Sequence, residues 1–227
     1  MFFLVTDTSG KNGFVALARA DEPASHGEVT IIETVPLAGG TFSAQLVPQI
    51  AALLAKHNLT KAALQAFIVV SGPGSFTGLR VGLAAIKALA EVLKKPIVPV
   101  SLLEVIALAS GQQGRVAAAL DAGRGDVYFA SYEIAPASTR VLQEQLLSKS
   151  EFLTAAREST IATPDATLAA AAREANLSVI VVEPADAQAI ARLGWKKLQS
   201  GETVSSEQLE ANYMRRSDAE IFVKKSS

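Results

Sequence analysis

Hydrophobic positions in this chain alternate between short unbroken runs and longer runs with helical spacing, and the alternation follows a fixed order. Phe2–Thr6 (FFLVT) is an apolar run of strand length. DTSGKNG follows as a turn, and Phe14–Ala20 (FVALARA) reads as the returning strand. Glu28–Val35 (EVTIIETV) predicts a third strand. From about Ser43 to His57, Leu46, Val47, Ile50, Leu53 and Leu54 recur at helical spacing, with Pro48 early enough to be tolerated in the first turn or so. Ala66–Val70 (AFIVV) is wholly apolar, as in a strand buried on both sheet faces. A second helix is predicted from Thr77 to Lys94, then the strand PIVPV and a helix over about Ser101–Ser110.

The order then restarts. Arg115–Glu133 (RVAAALDAGRGDVYFASYE) parallels the opening hairpin, with Asp121 standing where Asp7 stood. An edge strand near Arg140–Leu147 follows, with helices near Ser150–Arg157 and Asp165–Ala175, the strand SVIVV (Ser178–Val182) and a helix over Asp186–Gln199. Two halves with the same β-β-β-α-β-α order predict a duplicated lobe. Aspartate and glycine are common turn residues, so two such hairpins can also arise independently. The expected division is an N-terminal lobe, 1–100, and a C-terminal lobe, 101–227, whose last segment is free to pack back on the first. No Gly/Ser linker or charge run separates the halves, and the KKSS tail is expected to fray.

Composition narrows the chemistry. With 227 residues, 49% hydrophobic and 19% charged, the chain can bury a sizeable core. Its net charge of −1 leaves no electrostatic footprint for nucleic acid or an anionic membrane, so any RNA contact is expected to come through a partner. There are no cysteines, which excludes disulfides and thiolate chemistry, and His26 and His57 form no close histidine motif. The apolar run at the N-terminus breaks at Thr6 and Asp7, too early for a signal peptide or a membrane span. A soluble cytoplasmic protein with no metal and no cofactor is the expectation.

The segment SGPGSFTG, Ser71 to Gly78, invites a phosphate-binding reading, which three motif tests reject. Counting from Gly72, a P-loop needs glycine where Thr77 stands and a Lys-Ser/Thr pair after it; the dinucleotide fingerprint fails at the same place, because Gly78 is one residue late. A nucleophile elbow around Ser75 would need glycines at Pro73 and Thr77. The local expectation is a helix start with Thr77 as N-cap, Gly78 at the first helical position, and Phe76 packing on Val81 as a staple. Free N–H groups there, with Arg80 one turn in, leave a weak anion or partner contact open. Asp7, followed by Thr8 and Ser9, admits two readings. An aspartate after the first strand of a hairpin is where phosphotransfer ATPases of the actin–hexokinase type keep a carboxylate, and an aspartate opening a turn also bonds its own backbone. Asp121 reads as the turn type.

On the Thr77–Lys94 helix, Arg80, Lys87, Glu91 and Lys94 share one narrow stripe with Ala84, and nearly everything else is apolar. Gly78, Gly82 and Ala85 run along one side, where another backbone can approach closely. The Ser43–His57 helix is apolar over a similarly wide arc. Composition alone allows these faces to serve a partner or the chain's own core.

The stretch SGPGSFTGLRVGLAAIKALA, with VTDTSG, FSAQLVP, LDAGRGDVYFASYE and YMRRSDAE, resembles the TsaB (YeaZ) family over nearly the whole chain. The resemblance implies an α/β fold of two related lobes of the actin/Hsp70/sugar-kinase (ribonuclease H-like) type. It also implies a non-catalytic member that binds a TsaD-like enzyme, with a TsaE-like ATPase joining, for threonylcarbamoyl transfer to adenosine 37 of tRNAs reading ANN codons. Alone, such a protein is expected to form a homodimer. The partner interface implied is Leu46, Val47, Ile50 and Leu54 on the first helix and Gly78, Val81, Gly82, Ala85, Ala88 and Leu89 on the second. Ser71, Gly72, Pro73, Gly74, Ser75, Phe76, Thr77 and Arg80 form the signature loop, and Asp7, Thr8 and Ser9 a vestigial phosphate-loop position. Phe42, where many relatives have histidine, and Ala211, where proline is common, depart from the family pattern. The H-x-x-x-H metal pair of TsaD is absent. The competing expectation is an ATP-dependent small-molecule kinase or ATPase on the same fold, with Asp7 as its metal-linked carboxylate; a metallopeptidase is the third and weakest.

Overall fold

The computed structural model describes residues 1–21 and 28–214. His26, residues 215–220 of YMRRSDAE and the KKSS tail lie outside them. Among the described residues, ten strands and six α-helices follow one another in two rounds: β1 (Phe2–Asp7), β2 (Gly13–Ala20), β3 (Val29–Leu37), α1 (Phe42–Lys56), β4 (Leu64–Gly72), α2 (Phe76–Leu93), β5 (Ile97–Ser101) and α3 (Leu102–Ala109); then β6 (Gly114–Gly123), β7 (Asp126–Ile134), β8 (Thr139–Ser148), α4 (Lys149–Ala155), β9 (Thr160–Thr163), α5 (Ala166–Glu174), β10 (Val179–Val181) and α6 (Ala187–Gln199). The first sheet has the order β3-β2-β1-β4-β5 and the second β10-β9-β6-β7-β8. Renumbered from the start of each round, the two orders are the same. The first three strands of each round pair antiparallel and the other two add in parallel. These are two related α/β lobes of the ribonuclease H-like type.

The chain divides into two compact units, one of Met1–Ser101 with Asp186–Asn212 and one built on Leu102–Ala185. Residues 186–212 thus belong with the first unit, and the second is shorter than 101–227. The cause is an exchange: the helix ending each round joins the sheet of the other. α3 packs on β6, β7 and β9, whereas α6 packs on β1 to β5.

In the first unit, β1 and β4 are buried almost throughout, as their unbroken apolar runs require. One face of the sheet presents Leu4, Leu17, Phe67, Val69 and Ile97 to Leu46, Ile50, Leu53, Leu83 and Ile86 of α1 and α2. The opposite face presents Phe3, which stacks on Trp195 of α6 at 5.5 Å, and Ile68, which touches Gly194. Pro48 is the seventh residue of α1, deeper than its first turn. It lies on the exposed side, where water can serve the Ala44 carbonyl it leaves without a donor. At the end of α1, Lys56 and His57 both bond Glu33 of β3, at 2.7 and 2.8 Å, and hold its carboxyl below the usual glutamate range.

The second unit repeats the plan with smaller residues. Phe129 meets Phe152 of α4 edge-on at 6.1 Å, and a reciprocal Ser148–Glu151 capping box starts that helix. Strand β9 was not among the expected elements: four residues are too few for a periodic signal, and only the sheet defines them. Among the described residues, no helix is long and apolar enough to cross a membrane.

Candidate functional site

The structure closes the glycine loop onto the chain's own first turn. Asp7 ends β1, and its Oδ1 accepts from the Ser9 backbone N–H at 2.8 Å and the Ser9 hydroxyl at 2.6 Å. Thr8 points the other way, into α2, where its hydroxyl donates to the Gly78 carbonyl at 2.8 Å. The Ser9 carbonyl accepts from Ser75 N–H at 2.6 Å. Thr8 and Ser9 occupy the space that side chains on three signature residues would need. A Cβ on Gly74 would lie 2.4 Å from the Ser9 carbonyl oxygen, one on Gly78 2.1 Å from that of Thr8, and one on Gly82 2.1 Å from the Thr8 hydroxyl. No real Cβ sits that close, so these glycines are required by the turn that presses on them.

Two details of the expected helix start are corrected. Helix α2 begins at Phe76, and its N-cap is Ser75, whose hydroxyl accepts from Gly78 N–H at 3.3 Å. Thr77 therefore sits inside the first turn. Phe76 is also helical and does not precede the cap as a staple would; its ring carries the Arg80 guanidinium at 4.4 Å. The cap moved because Ser9 anchors Ser75 in a non-helical conformation, a tertiary contact that propensity cannot register.

On the other side of the loop, the Ser71 hydroxyl bonds the Val100 carbonyl at 3.3 Å, and the Asn212 N–H bonds the Ser71 carbonyl at 2.8 Å. Gly72 has φ of 135°, which side chains rarely adopt, and a Cβ there would meet the Asn212 carbonyl at 2.7 Å. The peptide bond between Gly72 and Pro73 is cis. The N–H groups of Ser75 and Gly78, which a phosphate at this loop would compete for, both have partners in the chain.

Burial pushes the Asp7 carboxyl above the ordinary aspartate range, and the Ser9 hydrogen bonds oppose this less strongly. The fold therefore favours the neutral acid. That contribution is complete below the unfolded-chain pKa and is lost as pH rises through the folded one. Asp7→Asn keeps the acceptor oxygen without the charge, so it is expected to raise the melting temperature at pH 7. The gain should fade towards about pH 3, where aspartates in both states are protonated. Melting curves across that range check the sign; a loss at pH 7 contradicts it. Asp121 is exposed and bonds Gly123 N–H at 2.9 Å, a turn aspartate as expected. Among the described residues, no three of His, Cys, Asp or Glu gather as a metal site.

The helix residues expected at a partner interface divide into two sets. Leu46, Ile50 and Leu54 are 1%, 4% and 6% exposed and belong to the core between α1, α2 and the sheet. Gly78 and Gly82 are buried against Thr8. These five are interior residues, because each helix turns its most regular apolar stripe towards the sheet. Val47 is 48% exposed, Ala88 is exposed, and Val81, Ala85 and Leu89 are half-buried. Val92, absent from the expected set, is 73% exposed. Its signal was readable: Val81, Ala85, Ala88 and Val92 follow one another at three- and four-residue spacing beside the Arg80–Glu91 stripe. The outer side of α1 continues this character with Ala44, Val47, Pro48, Ala51 and Ala55, and carries no charge before Lys56.

Comparison with known proteins matches residues 36–182 to the family model described as TsaD, tRNA N6-adenosine threonylcarbamoyltransferase. The tRNA threonylcarbamoyladenosine biosynthesis protein TsaB of Bacillus subtilis is 34% identical over 135 residues, 59% of this chain and 56% of that protein. TsaB of Haemophilus influenzae is 36% identical over 129 residues, 56% of this chain and 51% of that protein. The chain thus spans about half the length of the curated relatives it matches. A crystal structure from Pseudomonas aeruginosa, of an uncharacterized protein with similarity to peptidase YEAZ, superposes with a TM-score of 0.72 at 25% identity, covering 94% of this chain and 99% of that one. The chain belongs to the TsaD family of tRNA N6-adenosine threonylcarbamoyltransferase domains, and within that family it resembles the TsaB (YeaZ) proteins.

Proposed function

We propose that this chain serves tRNA threonylcarbamoyladenosine biosynthesis as an accessory subunit without catalytic chemistry of its own. It binds a TsaD-like enzyme through the outer faces of α1 and α2, and a TsaE-like ATPase joins that pair. tRNA is reached only through these partners, and in their absence the same face pairs two copies of the chain. The observation that carries this reading is the set of uncharged exposed residues Val47 and Ala51 on α1 and Ala88 and Val92 on α2, on helices whose inner sides are used by the core. Contiguous exposed apolar surface of this kind marks an interaction site. Small side chains there allow helices of a partner to approach closely. The crowded Thr8–Gly78 contact and the Ser9–Ser75 bond support a structural role for the loop.

Ala88→Glu tests it. The residue is exposed, so the stability of the isolated chain should change by no more than about 0.5 kcal/mol. A carboxylate buried against an apolar partner surface without a counter-charge should lower affinity for the TsaD-like enzyme by at least about a hundredfold, roughly 3 kcal/mol or more. Titration calorimetry with the enzyme from the same cell measures this. Full affinity in a folded variant removes the face from the proposal, and Mg-ATP turnover by the lone chain removes the accessory role.

A further inference from the structure

After α6 the chain runs back over the first unit and is attached at four places. Val204 exchanges backbone hydrogen bonds with Ile97 at the edge of the sheet, at 3.2 and 2.8 Å. The Ser206 hydroxyl donates to Glu91, near the end of α2, which also pairs with Lys94 at 2.7 Å. Leu209 is 1% exposed and enters the core shared by α1 and α2, with Ala211 packed beside it. Asn212 N–H bonds Ser71, just ahead of α2, and the Asn212 carbonyl fills the place a Gly72 side chain would take. A local turn aims the anchor. Ser205 N–H bonds the Gln208 side chain at 3.0 Å, Gln208 N–H returns to the Ser205 hydroxyl at 3.3 Å, and Leu209 N–H bonds the Ser205 carbonyl at 3.1 Å. This is the reciprocal Ser-x-x-Gln pattern of a capping box, used here for a single turn.

We infer that residues 204–212 are a strap that positions α2, holding its last turn through Ser206 and the loop before its first turn through Asn212, with Leu209 as the fixed point between. The strap rests on the reading of α2 as partner helix given above. It makes Leu209 and Ser206 positioning residues for a face they do not belong to. Thr8 ties α2 to the first turn near its start, at Gly78 and Gly82, and the strap adds a tie to its last turns through Glu91. Attachments at both ends limit changes in its tilt, and a face already fixed binds without first being ordered.

The test is hydrogen–deuterium exchange on the full chain together with affinity for the TsaD-like enzyme. Leu209→Ala is expected to speed exchange in residues 71–75 and 86–93 by at least about tenfold, with β6 to β8 unchanged, and to weaken binding by about tenfold. Leu209→Ile should preserve both. Ser206→Ala is a surface change that cannot unfold the chain; it should speed exchange about two- to threefold, confined to the last turns of α2. Unchanged exchange in α2 with either loss variant overturns the strap, even if Leu209→Ala itself folds poorly. Faster exchange with undiminished affinity overturns its role in setting the partner face. If the unaltered chain fails to bind the enzyme, the reading of the face is what fails, and exchange alone then decides whether the strap holds α2.

Discussion

Gly78→Ala is expected to destabilise the protein by about 2 kcal/mol, although alanine favours a helix over glycine by about 1 kcal/mol. The added Cβ would lie 2.1 Å from the Thr8 carbonyl oxygen, which is backbone, in a turn fixed by Asp7, Ser9 and Ser75. Gly82→Ala should cost a similar amount for a different reason: its Cβ would meet the Thr8 hydroxyl at 2.1 Å. The two can be separated. Thr8→Ala removes the hydroxyl and leaves the carbonyl, so it should relieve Gly82→Ala and leave Gly78→Ala unrelieved. A double-mutant cycle by urea denaturation should give a coupling of at least about 1 kcal/mol for positions 8 and 82, and a clearly smaller one for 8 and 78, where the clashing carbonyl stays and only the hydroxyl bond to Gly78 is lost. Equal coupling in both cycles would mean that the turn moves as a body and that the glycines are not individually keyed to it. If alanine is accepted at both glycines with a gain in stability, the signature has another purpose, and a ligand at the loop returns as the leading explanation.

Adjacent residues on α1 should behave as opposites. Leu46→Ala removes a side chain 1% exposed, packed between α1, α2 and the sheet, and should cost about 2–5 kcal/mol by lost burial and a residual cavity. Val47→Asp changes a residue 48% exposed and should leave stability within about 0.5 kcal/mol, apart from a small helix-propensity loss. Partner binding should show the reverse order. Val47→Asp abolishes it in a folded protein, and Leu46→Ala weakens it only as far as it loosens α1. Melting temperature and enzyme affinity measured side by side give the comparison. A Val47→Asp protein that melts early places Val47 in the core, and one that binds normally places the partner elsewhere.

The contrast between Leu46 and Val47 shows how far the pattern of residues could be read. Helical spacing located both helices to within a residue or two, because burying one face of an amphipathic segment is what makes it a helix. The same spacing cannot say which apolar arc meets the sheet when the arc is wide. Leu46, Ile50 and Leu54 lie on the inner side of that arc, Val47 and Ala51 on the outer, and no single-helix argument separates them. The glycine stripe of α2 raised the same ambiguity. Close approach by another backbone was the correct inference, but that backbone belongs to Thr8, seventy residues upstream.

By itself the sequence determined the order of strands and helices apart from the four-residue β9, and the repeat of that order. Each is local: apolar periodicity and turn residues act over fewer than twenty positions. Only the tertiary structure decided that Ser75 caps α2, that Thr8 requires Gly78 and Gly82, that residues 204–212 return to the first sheet, and which half of each apolar arc stays exposed. These depend on contacts between segments far apart in the chain, where packing free energy outweighs the smaller preferences that local sequence expresses.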